Sequence, residues 1–100
     1  MTTDSIHRYI IAYDIADDRR RDHVAKYLQR YGDRVQFSVF MCELGPVRFL
    51  RLNEGIKKMI SELEDSILVC DLGTSNSLSE GRLTFIGVSR YITPSTAIVV

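Results

Sequence analysis

An apolar run from Tyr9 to Ile15, interrupted only by Asp14, leads almost at once into the cluster Asp17-Asp18-Arg19-Arg20-Arg21. A nearly unbroken run of this length reads as a strand over residues 7–15, of the kind buried on both faces at the centre of a sheet. The strand brings one carboxylate to its end, where an arginine-rich element begins. A carboxylate can hold a hard divalent cation, and arginines close by can hold the phosphates that such a cation activates. The pairing points toward nucleic acid, yet a lone Asp is a poor metal site and needs partners from elsewhere.

The next element is a helix. Asp17 or Asp18 supplies the N-cap, and Val24, Tyr27, Leu28 and Tyr31 follow at i, i+3, i+4 and i+7 as one apolar stripe. Gly32 is expected to end this helix in a left-handed conformation. Residues 34–44 are strand-like, with Val35, Phe37, Val39 and Met41 alternating against Gln36, Ser38 and Phe40. They form either one bent strand or two short ones that pivot near Ser38. Gly45-Pro46 breaks the strand and starts a second helix with the stripe Phe49, Leu52, Ile56, Met59, Ile60 and Leu63. Arg48, Arg51, Lys57 and Lys58 lie outside that stripe. Gly55 costs the helix about 1 kcal/mol relative to Ala and marks a close approach. Ser66 to Leu72 reads as another buried strand, Thr74 to Gly81 as a polar loop, and Arg82 to Val88 as the strand that completes a hairpin.

These elements make a single domain over residues 1–100, an α+β sandwich with two helices on one face of a mainly antiparallel sheet. The split βαβ pattern makes it ferredoxin-like, βαββαβ, with an additional C-terminal strand. A strand ending in Ile98-Val99-Val100 should not stand in water. Adding it to a neighbouring copy would satisfy its backbone and bury its side chains, so a homodimer is expected in which about 96–100 is exchanged. An edge strand within one chain is the alternative.

Charge is uneven rather than large. The chain carries 13 basic and 13 acidic residues, which excludes a polycation, but Arg19, Arg20, Arg21, Lys26, Arg30 and Arg34 crowd between residues 19 and 34 against only Asp22 and Asp33. Local sign decides phosphate binding. An apolar fraction of 45% and a charged fraction of 26% are those of a folded chain, not a disordered one. No apolar run approaches the ~20 residues of a membrane span, and no secretory signal precedes residue 7. Cys42 and Cys70 lack metal-binding spacing and read as buried free thiols of a reducing cytoplasm.

Tyr13-Asp14-Ile15, Asp17-Asp18, Arg20-Arg21, the phrase Arg34-Val35-Gln36-Phe37-Ser38-Val39-Phe40 and the strand Asp65-Ser66-Ile67-Leu68-Val69 stand in this order. The ordered set resembles CRISPR-associated protein two, the small endonuclease of the CRISPR spacer-acquisition module, over about residues 7–100. The resemblance implies a ferredoxin-like homodimer in which the strand-end Asp of each chain faces its mate across the two-fold axis. Symmetry would then turn one carboxylate per chain into two at one place. It implies Asp14 as ligand of Mg2+ or Mn2+, and a metal that activates water for attack on a phosphodiester of single-stranded RNA or double-stranded DNA. By position, Tyr13, Arg21, Arg34 and Phe40 would surround that site. The arginines would neutralise phosphate charge, Phe40 would pack at the active face or against a base, and Tyr13 would hold the strand end or donate a hydrogen bond. Two departures stand out. His23 replaces a basic residue found in some members, and Met41-Cys42-Glu43 follows Phe40 where many members place Glu directly.

Bland readings stand beside these. A strand-end Asp14 can simply cap its turn, and Asp17 and Asp18 are explained by capping and the helix dipole. Cations in a first helical turn oppose that dipole, which favours a phosphate role for Arg19, Arg20 and Arg21. Tyr27 and Tyr31 are core, His7 is incidental, and Asp71 belongs to a hairpin end. Three functions compete. The first is metal-dependent cleavage of RNA or DNA. The second is a non-catalytic dimeric scaffold that grips duplex DNA and bridges copies of the CRISPR integrase. The third is an mRNA-cleaving toxin of similar fold, such as virulence-associated protein D.

Overall fold

The computed structural model describes residues 5–74 and 84–88. Six elements follow in the order β1 (His7–Asp14), α1 (Asp18–Leu28), β2 (Gly32–Gln36), β3 (Val39–Leu44), α2 (Pro46–Met59) and β4 (Ser66–Thr74). The sheet order is β2-β3-β1-β4, and every neighbouring pair is antiparallel. β3 lies between β1 and β2, so β1-α1-β2 is the split crossover of a ferredoxin-like α+β fold. The expected exchange of residues 96–100, the loop from residue 75 and the start of the 82–88 strand lie outside the described residues. Residues 84–88, which are described, carry no strand.

β1 is interior to the sheet, as its apolar run requires, but it is buried on one face and not on both: Ile10 and Ala12 on the other side are half-buried. Tyr9, Ile11 and Tyr13 alternate onto the helix side, where they join Val24, Ala25, Leu28, Phe40, Cys42, Leu44, Leu52 and Ile56 in one core. Asp17 caps α1 by accepting the Arg20 amide at 2.9 Å. Pro46 opens α2 at the first turn, where its missing N–H costs nothing. Leu63 lies past the end of α2 at Met59 and is 98% exposed, so it falls off the expected stripe.

Two glycines hold elements together by what they lack. A Cβ on Gly55 would overlap the Tyr27 hydroxyl, which donates to the Arg51 carbonyl at 3.0 Å; α1 and α2 meet there as the sequence implied. Gly32 departs from expectation. The helix ends at Leu28 with Gln29 still right-handed, and Gly32 begins β2 without positive φ. Its Cβ would meet the Met41 carbonyl and, at 2.6 Å, the Cys42 Sγ, so Gly32 admits close strand approach instead of capping a helix.

Residues 34–44 form two strands joined by the turn Phe37-Ser38. The register slips between Arg34 and Gln36, one extra residue on β2, and this bulge resets the alternation. Phe40 and Cys42 stand opposite the core residues Ile11 and Tyr9 of β1 and face the core with Leu44, whereas Phe37, in the turn, is 70% exposed. β4 is not a doubly buried strand. Ile67 and Val69 pack on the core while Leu68 and Cys70 are exposed. Cys70 is thus an exposed thiol, and only Cys42 is buried; burial pushes its pKa up to about 12.

Candidate nucleic-acid site

Strand alternation sets Tyr13 and Asp14 on opposite faces of β1. Tyr13, buried on the helix side, anchors the β2–β3 turn: its hydroxyl donates to the Phe37 carbonyl at 3.2 Å and its amide to the Ser38 carbonyl at 3.1 Å. Arg34 pairs in register with Phe40 and so projects to the same side. Its Nη2 donates to the Tyr13 hydroxyl at 3.4 Å, and its guanidinium carbon sits 5.3 Å from the Phe40 ring centroid and 5.8 Å from that of Phe37. No carboxylate pairs with it among the described residues, and its buried Nε has no hydrogen-bond partner. A cation is thus held beneath an opening and left unneutralised.

That opening is a groove of about 560 Å³ lined by Tyr13, Asp18, Arg19, Arg21, Arg34 and Phe37, with Asp22 and Ala25 along α1. Arg21 is fixed at its rim by a 2.7 Å bond to the Ile15 carbonyl and an ion pair with Asp18. Arg19 makes no side-chain hydrogen bond or ion pair among the described residues and is exposed. Helical spacing lines it up with His23, Lys26 and Arg30, all exposed, as a row along the outer side of α1 and its end. Within that row Lys26 is 3.4 Å from Asp22.

Arg20 stands apart. Its Nε donates to Asp65 Oδ2 at 2.8 Å and its Nη2 to Glu64 at 3.0 Å, while the Asp65 side chain is fully buried. Asp65 also accepts the Ser61 amide at 2.8 Å. The Arg20 hydrogen bond and the Ser61 amide hold the Asp65 carboxyl below the ordinary carboxylate range, and the hydrogen bonds to Asp65 and Glu64 raise the Arg20 pKa. This is a tie between the start of α1 and the approach to β4, and it engages the Arg20 guanidinium in the fold.

The structure thus gathers Tyr13, Arg19, Arg21 and Arg34 around one groove. Phe40, expected at the active face or against a base, has 0% exposure and is the floor under Arg34, out of reach of a base. Asp14 is exposed at the end of β1, opposite Ser66 of β4, and does not line the groove. Two residues passed over in the sequence prove engaged. His7 Nδ1 lies 2.9 Å from Asp71 Oδ1, and Asp71 also accepts the Gly73 amide at 2.8 Å; this pair ties the start of β1 to the end of β4 and lowers the Asp71 pKa. Only strand register could have found it. Phe37 was hidden by an alternation that ran through the turn.

On the Asp14 side of the sheet lie Ile10, Ala12, Val35, Val39, Met41 and Leu68, with Phe85, Ile86 and Val88 beside them around a second cavity of about 260 Å³. Leu68 is 63% exposed, Ile86 99% and Val88 68%. No group of three or more His, Cys, Asp or Glu side chains able to hold a metal occurs among the described residues. Asp14 offers one hard oxygen ligand, which suits Mg2+ or Mn2+ but completes a site only with a second carboxylate, water or phosphate.

The family model of CRISPR associated protein Cas2 matches residues 7–79, which includes all six elements and every candidate site residue. The chain belongs to the Cas2 family. A Synechocystis relative named CRISPR-associated endoribonuclease Cas2 3 is 49% identical over 59% of this chain and 64% of its own length, so the match spans just under two thirds of it. A Geobacter sulfurreducens relative, named CRISPR-associated endoribonuclease Cas2, is 33% identical over 72% of this chain and 76% of its own. The crystal structure of Streptococcus pyogenes Cas2 at pH 6.5 superposes with a TM-score of 0.70 and 32% identity, covering 80% of this chain and 99% of that one. Among the described residues no helix is long and apolar enough to cross a membrane.

Proposed function

We propose that this Cas2-family chain is a metal-dependent endonuclease that hydrolyses phosphodiester bonds of RNA or DNA as a homodimer in CRISPR spacer acquisition. The observation that carries the reading is the convergence of Tyr13, Arg21 and the unneutralised Arg34 on one groove at the end of the strand that bears Asp14. Relatives named endoribonucleases support it.

The apolar face of the sheet supports the dimer. Leu68 of the sheet and Ile86 and Val88 beside it leave apolar surface exposed on this side, and a second copy packed there about a two-fold axis would bring the two Asp14 carboxylates together. They would hold Mg2+ or Mn2+, which when bound supplies an activated water for the attack. Arg21 and Arg34, in the groove across the end of β1 from Asp14, would hold a phosphate of the bound strand and offset its charge. Tyr13 fixes the turn that carries this chemistry. Phe40 keeps the floor of the groove dry, which strengthens the electrostatics above it.

The scaffold reading draws on the row Arg19, Lys26 and Arg30, which suits duplex backbone contacts and needs no hydrolysis. Under it the dimer bridges copies of the CRISPR integrase. One experiment separates the two. Labelled RNA and duplex DNA are incubated with wild type and Asp14→Ala in magnesium, manganese or chelator. Loss of metal-dependent cleavage with salt-sensitive binding retained supports the nuclease, whereas activity indifferent to Asp14 refutes it. Spacer acquisition that survives Asp14→Ala favours the scaffold.

A further inference from the structure

We infer that Phe37 is a stacking platform for the base of an unpaired nucleotide whose phosphate lies in the arginine groove; this rests on the nucleic-acid reading above. Three observations lead to it. Phe37 is the one aromatic side chain of the core-forming segments left 70% exposed, although it stands in a turn whose backbone is pinned by Tyr13. Its ring lies on the lip of the groove rather than on the apolar sheet face, so burial against a second copy does not account for it. Beneath it, Arg34 has an unpaired Nε and no carboxylate partner among the described residues.

An exposed ring beside an unspent guanidinium fits the two halves of a nucleotide. The ring offers a π-face, which every base can stack on, and the arginines offer charge to the phosphate. In a duplex the base faces are already stacked on each other and only the backbone is presented outward. The platform therefore selects a single strand or a looped-out nucleotide. Phe37 contacts no reacting atom in this scheme; it positions the strand, while Arg21 and Arg34 hold the phosphate.

The test is fluorescence anisotropy in chelator, so that nothing is cut, with three probes. These are a labelled single strand, the same strand with abasic sites, and the corresponding duplex. Phe37→Leu keeps apolar bulk without a π-face, and Phe37→Trp keeps the π-face. The single strand should bind Phe37→Leu about 5- to 100-fold more weakly than wild type. Phe37→Trp should match wild type. The duplex should change by less than about twofold, and the abasic strand should bind wild type and Phe37→Leu equally. An equal loss for all three probes, no loss for the single strand, or a change in sedimentation of the Phe37→Leu protein would each overturn the platform. Arg34→Gln separates the underlying reading. If it weakens every probe while Phe37→Leu weakens none, nucleic acid binds the groove without Phe37; if neither variant has any effect, the groove is not the nucleic-acid site.

Discussion

Arg34→Met should leave the fold standing and remove much of the binding. Removing the guanidinium forfeits two contacts with aromatic rings, at 5.3 and 5.8 Å, each about 0.5–1 kcal/mol. It also forfeits the 3.4 Å hydrogen bond to Tyr13, which at that length contributes about 0.5 kcal/mol at most. Against this, the buried Nε without a partner is relieved, a gain of about 1–3 kcal/mol. Methionine fills the same volume and places its sulfur against Phe40, which recovers more. The net change in unfolding free energy is within about 1 kcal/mol of zero, read by urea denaturation. One charge-assisted hydrogen bond to phosphate is worth about 1.5–3 kcal/mol, so affinity for a labelled oligonucleotide should fall about 10- to 100-fold. The salt dependence should flatten by the equivalent of about one phosphate contact. A stability loss above about 2 kcal/mol with affinity unchanged would show that Arg34 is a strut between the turn and β1, and would refute its assignment to the site.

Arg20→Met should do the opposite, lowering the thermal midpoint more than Arg34→Met does while binding follows only the folded fraction, because it leaves the buried Asp65 carboxylate without its partner. Acid titration checks the same tie. The folded-state pKa of Asp65 is depressed, so its stabilisation is complete above the ordinary carboxylate value of about 4 and is lost as pH falls below that through the lowered value; Asp65→Asn should flatten this limb of the pH–stability curve. Gly32→Ala should cost on the order of 2 kcal/mol or more by urea denaturation, since the added methyl meets the β3 backbone, which cannot swing aside. In native protein a thiol reagent should label exposed Cys70 quickly, with Cys42 reacting only on unfolding because it is buried and its pKa stands at about 12.

How much was legible follows from which signals are local. The β1 run, the stripe of α1, the Gly45-Pro46 start of α2 and the close approach at Gly55 are written in neighbouring residues, and together they suffice for the ferredoxin-like order. The β2–β3 hairpin misled because Phe37 stands in the turn, outside the alternation of either strand, while Phe40 faces the core opposite Ile11 of β1, so the exposed and buried phenylalanines changed places. Gly32 resembles a helix cap in sequence, but the crowding that demands it comes from Cys42, ten positions on and a strand away. The site was legible as a set of residues and not as an arrangement. Composition groups Arg19, Arg20, Arg21 and Arg34 together, yet only register and the distant Asp65 reveal that Arg20 is paired with carboxylates while Arg34 has none among the described residues. His7 and Asp71 meet across 64 positions, which no local pattern records.

Manganese titration followed by electron paramagnetic resonance, at known chain concentration and with Asp14→Asn alongside, tests the proposal that two chains share one cation. One tightly bound ion for every two chains, abolished in Asp14→Asn and in any variant that sediments as a monomer, is the predicted result. One ion per chain, or binding unaffected by the loss of the Asp14 carboxylate, would contradict it.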